Sequence, residues 1–197
     1  MSTVKSKKLQ VGTDATASNN FTIYQPAVPD GTLRVGVGNA DNPTEVGRFD
    51  SNGYVPNKAP AFRAATGLGS GQTLSANTWT KITLSSAIFD TDSCFDTSTY
   101  RFTPTVAGYY QVNASILWDT GGSVSIVSIY KNGASQSLTE WANFSWGAGT
   151  SINVNNIIYM NGTTDYIEMY GYHSAGTSTV NKDSGNTFLS AALIRAV

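Results

Sequence analysis

The chain has 197 residues and a formal net charge of −1, and only 13% of its residues are charged. A charge balance this close to zero provides no overall field to attract nucleic acid or an anionic membrane. Hydrophobic residues make up 40% and aromatic residues 11%, which excludes a disordered chain. No segment shows apolar residues at helical spacing over three turns, and no apolar run is long enough to span a membrane. We therefore expect an all-β protein with many turns.

The single cysteine and the single histidine restrict the chemistry that the chain can perform. Cys94 alone cannot form an intrachain disulfide or a thiolate metal cluster, and His173 lies in no order typical of a catalytic triad. The carboxylates of residues 59–197 are sparse and match no catalytic motif. These observations predict a protein that is not an enzyme and that needs no cofactor.

Three aspartates lie close together in the segment DTDSCFD at 90–96. Asp90, Asp92 and Asp96 offer hard oxygen ligands at a spacing that suits calcium. Aspartate and serine also form turns by accepting hydrogen bonds from the nearby backbone, and the acidic twelfth-position ligand of a calcium loop is missing here. The turn interpretation is favoured, and no metal site is predicted.

The N-terminal part, residues 1–58, is predicted to be a β-rich attachment segment that begins with a basic arm. Lys5, Lys7 and Lys8 form the arm, which either docks on an acidic partner or is a solvated terminus. Turn residues separate the β-prone pieces that follow, which are Leu9–Gly12, Phe21–Gln25, Thr32–Val37, Glu45–Phe49 and Gly53–Val55. Strands this short cannot enclose a core of their own, and identical copies from neighbouring chains are the simplest source of partners.

A linker follows, because the two prolines of the segment PNKAP at 56–60 interrupt both a β-ladder and a helix. The main domain then covers residues 59–197, and its strands are spaced as in sandwiches and barrels. The segments with strand character are Ala61–Ala65, Gln72–Leu74, Thr78–Leu84, Ile88–Phe89, Tyr100–Pro104, Gly108–Trp118, Val124–Tyr130, Gln136–Phe144, Ser151–Tyr159, Asp165–His173 and Asn186–Arg195. The dipeptides Asn132-Gly133 and Asn161-Gly162 each predict a hairpin.

Alternation along two of these strands separates a core face from an outer face. The predicted core side chains of the first strand are Tyr110, Val112, Ala114, Ile116 and Trp118. In the second strand, Tyr166, Tyr170 and Tyr172 share one face with a carboxylate, which is too apolar for bulk solvent and too polar for a dry core. An oligomer interface is the favoured interpretation of this face, and a ligand patch or plain surface are the alternatives.

Three aromatic residues lie close together in the segment TEWANFSWGAG at 139–149. Trp141, Phe144 and Trp146 on a protruding loop would suit recognition of a neutral sugar by stacking. The alternative is that the two tryptophans fill the core or pack against a neighbouring protomer. Alternation places Trp141 and Phe144 on opposite faces, so the three rings cannot all belong to the core.

The stretch YRFTPTVAGYYQVNASI at 100–116 resembles the central signature of the globular-head domain of complement C1q. Valine stands at 112 where that family usually has phenylalanine, and the matching residues are Arg101, Phe102, Thr103, Pro104, Ala107, Gly108 and Tyr110. Four more segments resemble further strands of this family, in the same order along the chain. They are PAFRAAT at 60–66, TKITLSSAIFDTDSCFD at 80–96, VSIVSIYKNG at 124–133 and NTFLSAALI at 186–194. The resemblance implies a ten-stranded antiparallel jelly roll, shared with tumour-necrosis-factor ligands, that assembles as a tight homotrimer. It also implies that the face of Tyr166, Tyr170 and Tyr172 lies near the threefold axis.

Residues 9–55 resemble short β repeats of tailed-bacteriophage fibre proteins, and the pieces that carry this resemblance are VGTD at 11–14, PDGTLR at 29–34 and FDSNG at 49–53. The first twenty residues are basic but have no apolar core of a secretory signal, so we expect assembly into a virion in the host cytoplasm.

Together the two resemblances predict a trimeric phage virion protein. Its leading role is that of a short tail fibre or tip that attaches to the host cell surface, with a surface glycan and other virion proteins as the expected partners. The alternative is a capsid decoration or head-fibre protein, which a chain this short favours because most fibres carry a longer shaft. A cellular C1q-like lectin is a third class, disfavoured by the missing export signal.

Overall fold

The computed structural model describes residues 7–56, 59–67, 71–119, 124–138, 149–174, 178–180 and 185–197. The chain divides into two compact units, unit 1 (Met1–Lys58) and unit 2 (Ala59–Val197). Apart from one 3₁₀ turn at Ala17–Asn19, the regular structure of the described residues is β-strand, which confirms the predicted all-β class. No helix long and apolar enough to cross a membrane occurs within these ranges.

Unit 1 is an antiparallel sheet in which each strand pairs with the next along the chain. Its strands within the described residues are β1 (Lys8–Val11), β2 (Phe21–Tyr24), β3 (Leu33–Val37), β4 (Thr44–Asp50) and β5 (Gly53–Pro56). The pieces expected from the sequence agree with these bounds to within one residue at each end. Turn residues between short β-prone pieces were therefore sufficient to locate every strand of this sheet.

Asn20 organises one end of the unit 1 sheet. Its fully buried side chain accepts a hydrogen bond from the Asp14 backbone N–H at 2.9 Å and donates to the Asp14 carbonyl oxygen at 2.8 Å. It also donates to Oδ1 of Asn39 at 2.8 Å, so the β1–β2 loop is joined to the β3–β4 turn. Gly12 has φ of +102°, and a Cβ there would lie 2.6 Å from Oδ1 of Asn20, so this tight loop requires glycine.

Unit 2 begins with short strands and continues with longer ones. Within its described residues the strands are β6 (Ala61–Ala65), β7 (Gln72–Leu74), β8 (Thr80–Lys81), β9 (Ser86–Asp90), β10 (Phe95–Asp96), β11 (Arg101–Phe102), β12 (Ala107–Trp118), β13 (Ser125–Lys131), β14 (Ala134–Leu138), β15 (Thr150–Asn161), β16 (Ile167–His173), β17 (Ser178–Val180) and β18 (Phe188–Ala196). The sequence patterns missed β10 and β17, which have two and three residues.

Two antiparallel sheets build unit 2 as a jelly roll. The larger sheet has the order β7-β17-β12-β18-β6-β9, and β15 also pairs with β12 along its full length. The smaller sheet has the order β10-β11-β16-β13-β14, and β8 also pairs with β16. This topology confirms the predicted antiparallel jelly-roll sandwich.

The hydrophobic core lies between these two sheets. Phe62 stacks between Phe95 and Phe102, with ring centroids 5.0 Å and 4.3 Å away. The predicted core face of β12 is confirmed, because all five of its members are buried: Tyr110, Val112, Ala114, Ile116 and Trp118. Period-two alternation is thus a reliable guide where one face of a strand packs against a second sheet.

The two Asn-Gly dipeptides form different kinds of turn. Asn132 and Gly133 have φ of 53° and 79° and join β13 to β14, as expected for a tight hairpin. The hairpin expected at Asn161-Gly162 is wrong, because β15 pairs with β12 whereas β16 pairs with β13. Oδ1 of Asn161 accepts the N–H groups of Thr163, Thr164 and Asp165 instead, and the turn carries the chain from one sheet to the other.

Candidate functional site

The outer face of the smaller sheet carries a cluster of aromatic side chains, called here the aromatic face: Trp79, Tyr130, Tyr170 and Tyr172. Tyr130 and Tyr170 are stacked at 4.1 Å, and Trp79 lies 5.3 Å from the Tyr172 ring. Trp79 remains 37% exposed, so its ring is available to a ligand or a protein partner. Such a surface offers stacking area together with hydroxyl groups.

An ion-pair cluster lies beside the aromatic face. Glu168 is on the outer side of β16, yet it is only 1% exposed. Its Oε1 accepts hydrogen bonds from Lys81 Nζ at 2.9 Å and from Arg101 Nε at 2.8 Å. Burial by itself would raise the pKa of Glu168, but these two hydrogen bonds outweigh it and hold the pKa below its ordinary value. The cluster therefore carries a carboxylate that is ionised at neutral pH.

The tyrosines predicted as a trimer interface all lie on this outer side and already make contacts within the chain. The Tyr166 ring lies under the Arg101 guanidinium at 4.0 Å, and Tyr170 is stacked on Tyr130. The Tyr172 hydroxyl donates to Oδ1 of Asn77 at 3.0 Å. All three are half-buried. Their role in a trimer stays a prediction.

A second exposed apolar surface lies on the outer face of the larger sheet, called here the tyrosine–isoleucine stripe: Tyr109, Ile157 and Tyr159. Tyr109 and Tyr159 are directly opposite each other on β12 and β15, and their ring centroids are 5.6 Å apart. Tyr109 is 45% exposed and Ile157 is 56% exposed. Large apolar side chains gathered on one side of a sheet are typical of a surface that another protein covers.

Lys131 joins the two sheets beside this stripe. Its Nζ donates to the Tyr159 carbonyl oxygen at 2.8 Å and forms an ion pair with Oδ2 of Asp165 at 2.8 Å. Burial would raise the pKa of Asp165, but hydrogen bonds from Lys131 and Asn132 outweigh it and lower the pKa. These bonds hold the outer strand β15 in place and thereby fix the Tyr159 backbone.

The aspartates of the DTDSCFD segment behave as the turn interpretation predicts. Oδ1 and Oδ2 of Asp90 accept the backbone N–H groups of Cys94 at 3.0 Å and Phe95 at 2.8 Å. Asp96 accepts the Ser98 N–H at 2.7 Å, and hydrogen bonds from Ser98 and Thr99 lower the pKa of Asp96 to about 2. Cys94 is buried in the core. These carboxylates serve the local backbone.

Several predicted site residues lie outside the described residues. These are the aromatic loop residues Trp141, Phe144 and Trp146, and Lys5 of the basic arm. Lys7 and Lys8 are described, and the Lys8 ammonium donates to the Ala40 carbonyl oxygen at 2.6 Å. At least one lysine of the arm is therefore held against the unit 1 sheet.

Sequence reasoning missed Trp79, Tyr130 and the tyrosine–isoleucine stripe. The signal for the stripe was present, since alternation assigns Tyr109 to the solvent side of its strand, where a large aromatic side chain is unusual. For Trp79 there was no such signal, because only the pairing of β8 with β16 brings this region beside Tyr172.

The comparisons with known proteins identify the fold of unit 2. No protein-family model matches the sequence, and no curated protein matches it either. The structure of Eiger TNF from S. frugiperda superposes with a TM-score of 0.55 at 9% identity, covering 71% of this chain and 94% of that one. The crystal structure of murine APRIL at pH 8.0 gives a TM-score of 0.53 at 11% identity and covers 70% of this chain and 100% of that one.

The globular domain of the zebrafish complement 1qA protein superposes more loosely, with a TM-score of 0.48 at 13% identity over 71% of this chain and 100% of that one. The fold assignment depends on the two tighter superpositions. Unit 2 therefore has the jelly-roll fold of tumour-necrosis-factor-like domains.

Proposed function

We propose that this chain is a non-enzymatic, homotrimeric structural protein of a tailed-phage virion, and that it acts as a short tail fibre or tip that attaches to the host cell surface. Two features support the proposal: a jelly roll of the tumour-necrosis-factor type in unit 2, and the resemblance of residues 9–55 to phage fibre repeats. The observation that supports trimer formation most directly is the tyrosine–isoleucine stripe, an exposed apolar surface on the outer face of the larger sheet.

The chemistry of this stripe supports self-association. Ile157 at 56% exposure is the most exposed of the three side chains, and it lies two residues along β15 from Tyr159, whose ring contacts that of Tyr109. Tyrosine is well suited to a protein interface because it gives a large contact area while its hydroxyl keeps a polar partner. The face of Tyr166, Tyr170 and Tyr172 is the competing surface for the same contact.

Host recognition is assigned to the aromatic loop. Trp141, Phe144 and Trp146 are the proposed ligand-binding residues, and a neutral surface glycan is the proposed ligand, because sugar rings stack on exposed indole faces. The aromatic face around Trp79 offers a second stacking surface on the same unit. The basic arm of Lys5, Lys7 and Lys8 is the proposed contact with an acidic site on the virion.

Immunogold electron microscopy of intact virions tests the proposal, with antibody raised against the full chain. Gold at the tail end supports the fibre or tip. Gold distributed over the head supports the second candidate, a capsid decoration protein, and overturns host attachment. Absence of gold from every particle overturns the virion assignment.

A further inference from the structure

The sheet of unit 1 has one face made of apolar side chains, called here the apolar face. Register shows that its members lie side by side on all five strands, since Leu9 is opposite Ile23 and Leu33 is opposite Phe49. The members are Leu9, Val11, Phe21, Ile23, Leu33, Val35, Val37, Phe49 and Tyr54. Gly47 belongs to the same face and lies under the Tyr54 ring.

The ion pairs of this sheet are on its other face. Arg34 bonds Asp30 at 2.6 Å and Glu45 at 3.0 Å, and Arg48 lies 3.7 Å from the second oxygen of Glu45. The sheet is thus strongly two-sided. These ion pairs are formed within the unit, whereas the apolar face has a single described charged residue beside it, Lys7, next to Leu9 and Ile23.

Within the described residues, nothing in unit 1 covers the apolar face. The buried hydrophobic residues all belong to unit 2, and the buried side chains of unit 1 are the polar Asn20 and Thr22. The larger members of the face keep between 36% exposure at Ile23 and 58% at Leu9. A two-layer structure is the minimum that protects an apolar sheet face from water.

We propose that the apolar face of unit 1 packs against the same face of other copies of this chain, so that three sheets enclose one shared core. This inference rests on the homotrimer proposed above and names a second contact surface within it. The partner is a copy because, apart from Lys7 at its edge, the face carries no charged group that would select a different protein, whereas a copy matches it in area and polarity.

The area is sufficient for a stable contact. Large apolar side chains present on the order of 150–250 Å² each. Seven of them at about half exposure leave roughly 700 Å² uncovered on each copy, against about 800 Å² per partner in a standard interface. An exposed apolar patch of this size is not typical of a surface that stays in water.

The width of the sheet also suits a three-sided arrangement. Five strands about 4.8 Å apart make a sheet roughly 20–24 Å wide. If three such sheets form the sides of a triangle, then each sheet lies roughly 6–7 Å from the threefold axis. In a pair of packed sheets, which are ~10 Å apart, each sheet lies only ~5 Å from the midplane. Phenylalanine, tyrosine, isoleucine and leucine side chains fill that extra distance, and the face carries all four.

Cysteine cross-linking of the full chain tests this contact. Ile23→Cys places a thiol on the apolar face, and Arg48→Cys places a matched thiol on the charged face, where the native side chain is 42% exposed. The wild-type chain is the negative control, because its single thiol, that of Cys94, is buried. A short bis-maleimide should convert most Ile23→Cys chains to covalent dimers on a denaturing gel, with at least tenfold less dimer for Arg48→Cys.

The molar mass of each sample before cross-linking separates the two proposals. A trimeric mass with selective Ile23→Cys cross-linking supports both. A trimeric mass with equal cross-linking of the two variants overturns the shared core but leaves the homotrimer standing. A monomeric mass without cross-linking overturns both.

Discussion

The carboxylate of Glu168 and the guanidinium of Arg101 form an ion pair on the outer side of the smaller sheet, where the Glu168 side chain is only 2% exposed. Lys81 donates to the same carboxylate oxygen, so one buried anion joins β8, β11 and β16. The side chains of Lys81 and Arg101 remain 30% and 38% exposed. The cations are therefore partly hydrated while the anion is not, and the anion depends on both of them.

Replacing Glu168 by glutamine should lower the free energy of unfolding of unit 2 by about 1–3 kcal/mol, because the amide loses the charge that two cations face. All four tryptophans of the chain lie in unit 2, so tryptophan fluorescence during urea unfolding reports this unit alone. Glu45→Gln is the matched control in unit 1 and should leave the fluorescence transition unchanged. An unchanged midpoint for Glu168→Gln would show that the cluster adds no stability.

The same carboxylate should make the stability of unit 2 depend on acid pH. Its pKa in the folded protein lies below the ordinary value of 4.5, because the hydrogen bonds from Lys81 and Arg101 outweigh burial. A lowered folded pKa stabilises the protein above the unfolded pKa, and that contribution disappears as pH falls through the folded pKa. We expect the free energy of unfolding to decline below about pH 4.5. Glu168→Gln should decline less over this range, and parallel curves for the two proteins would contradict the assignment.

Introducing one charged residue into each of the two competing surfaces should show which of them forms the trimer interface. Ile157→Asp puts a carboxylate into the tyrosine–isoleucine stripe, where it would lose its water in an interface, and should raise the concentration for half-dissociation at least tenfold. Tyr172→Asp puts the same charge on the other outer face and should leave the assembly intact. If only Tyr172→Asp dissociates the trimer, then the interface lies at Tyr166, Tyr170 and Tyr172 as the sequence suggests.

Host attachment should depend on the aromatic loop. Trp146→Ala removes an indole face and should weaken adhesion of the purified protein to host cells by about tenfold, a typical effect for an aromatic anchor. Trp79→Ala is the matched control on the aromatic face. Equal loss for both variants would move recognition to the aromatic face, and no loss for either would contradict glycan stacking.

The sequence predicted the strands and the core well because both follow from local patterns. The alternation of Tyr110, Val112 and Ala114 needs only a strand and a second sheet to become a buried face. Likewise, Asn132-Gly133 forms its hairpin because its φ values are intrinsic to the dipeptide.

Contacts between distant segments could not be predicted in this way. Glu168 is placed by alternation on the solvent side of β16, and its burial results from Lys81 and Arg101, which are 87 and 67 residues away along the chain. The Asn161-Gly162 turn looks like a hairpin locally, and only the pairing of β15 with β12 shows that it connects two sheets. Alternation defines the face of a side chain but not the neighbour that covers it.

The molar mass of the full chain in solution, measured by light scattering at micromolar concentration, tests the central claim most directly. The account predicts a mass three times that of the 20.9 kDa chain. Both proposed contact surfaces, the tyrosine–isoleucine stripe and the apolar face of unit 1, need other copies to cover them. A mass equal to one chain would contradict the homotrimer and with it the assembly that both surfaces are proposed to serve.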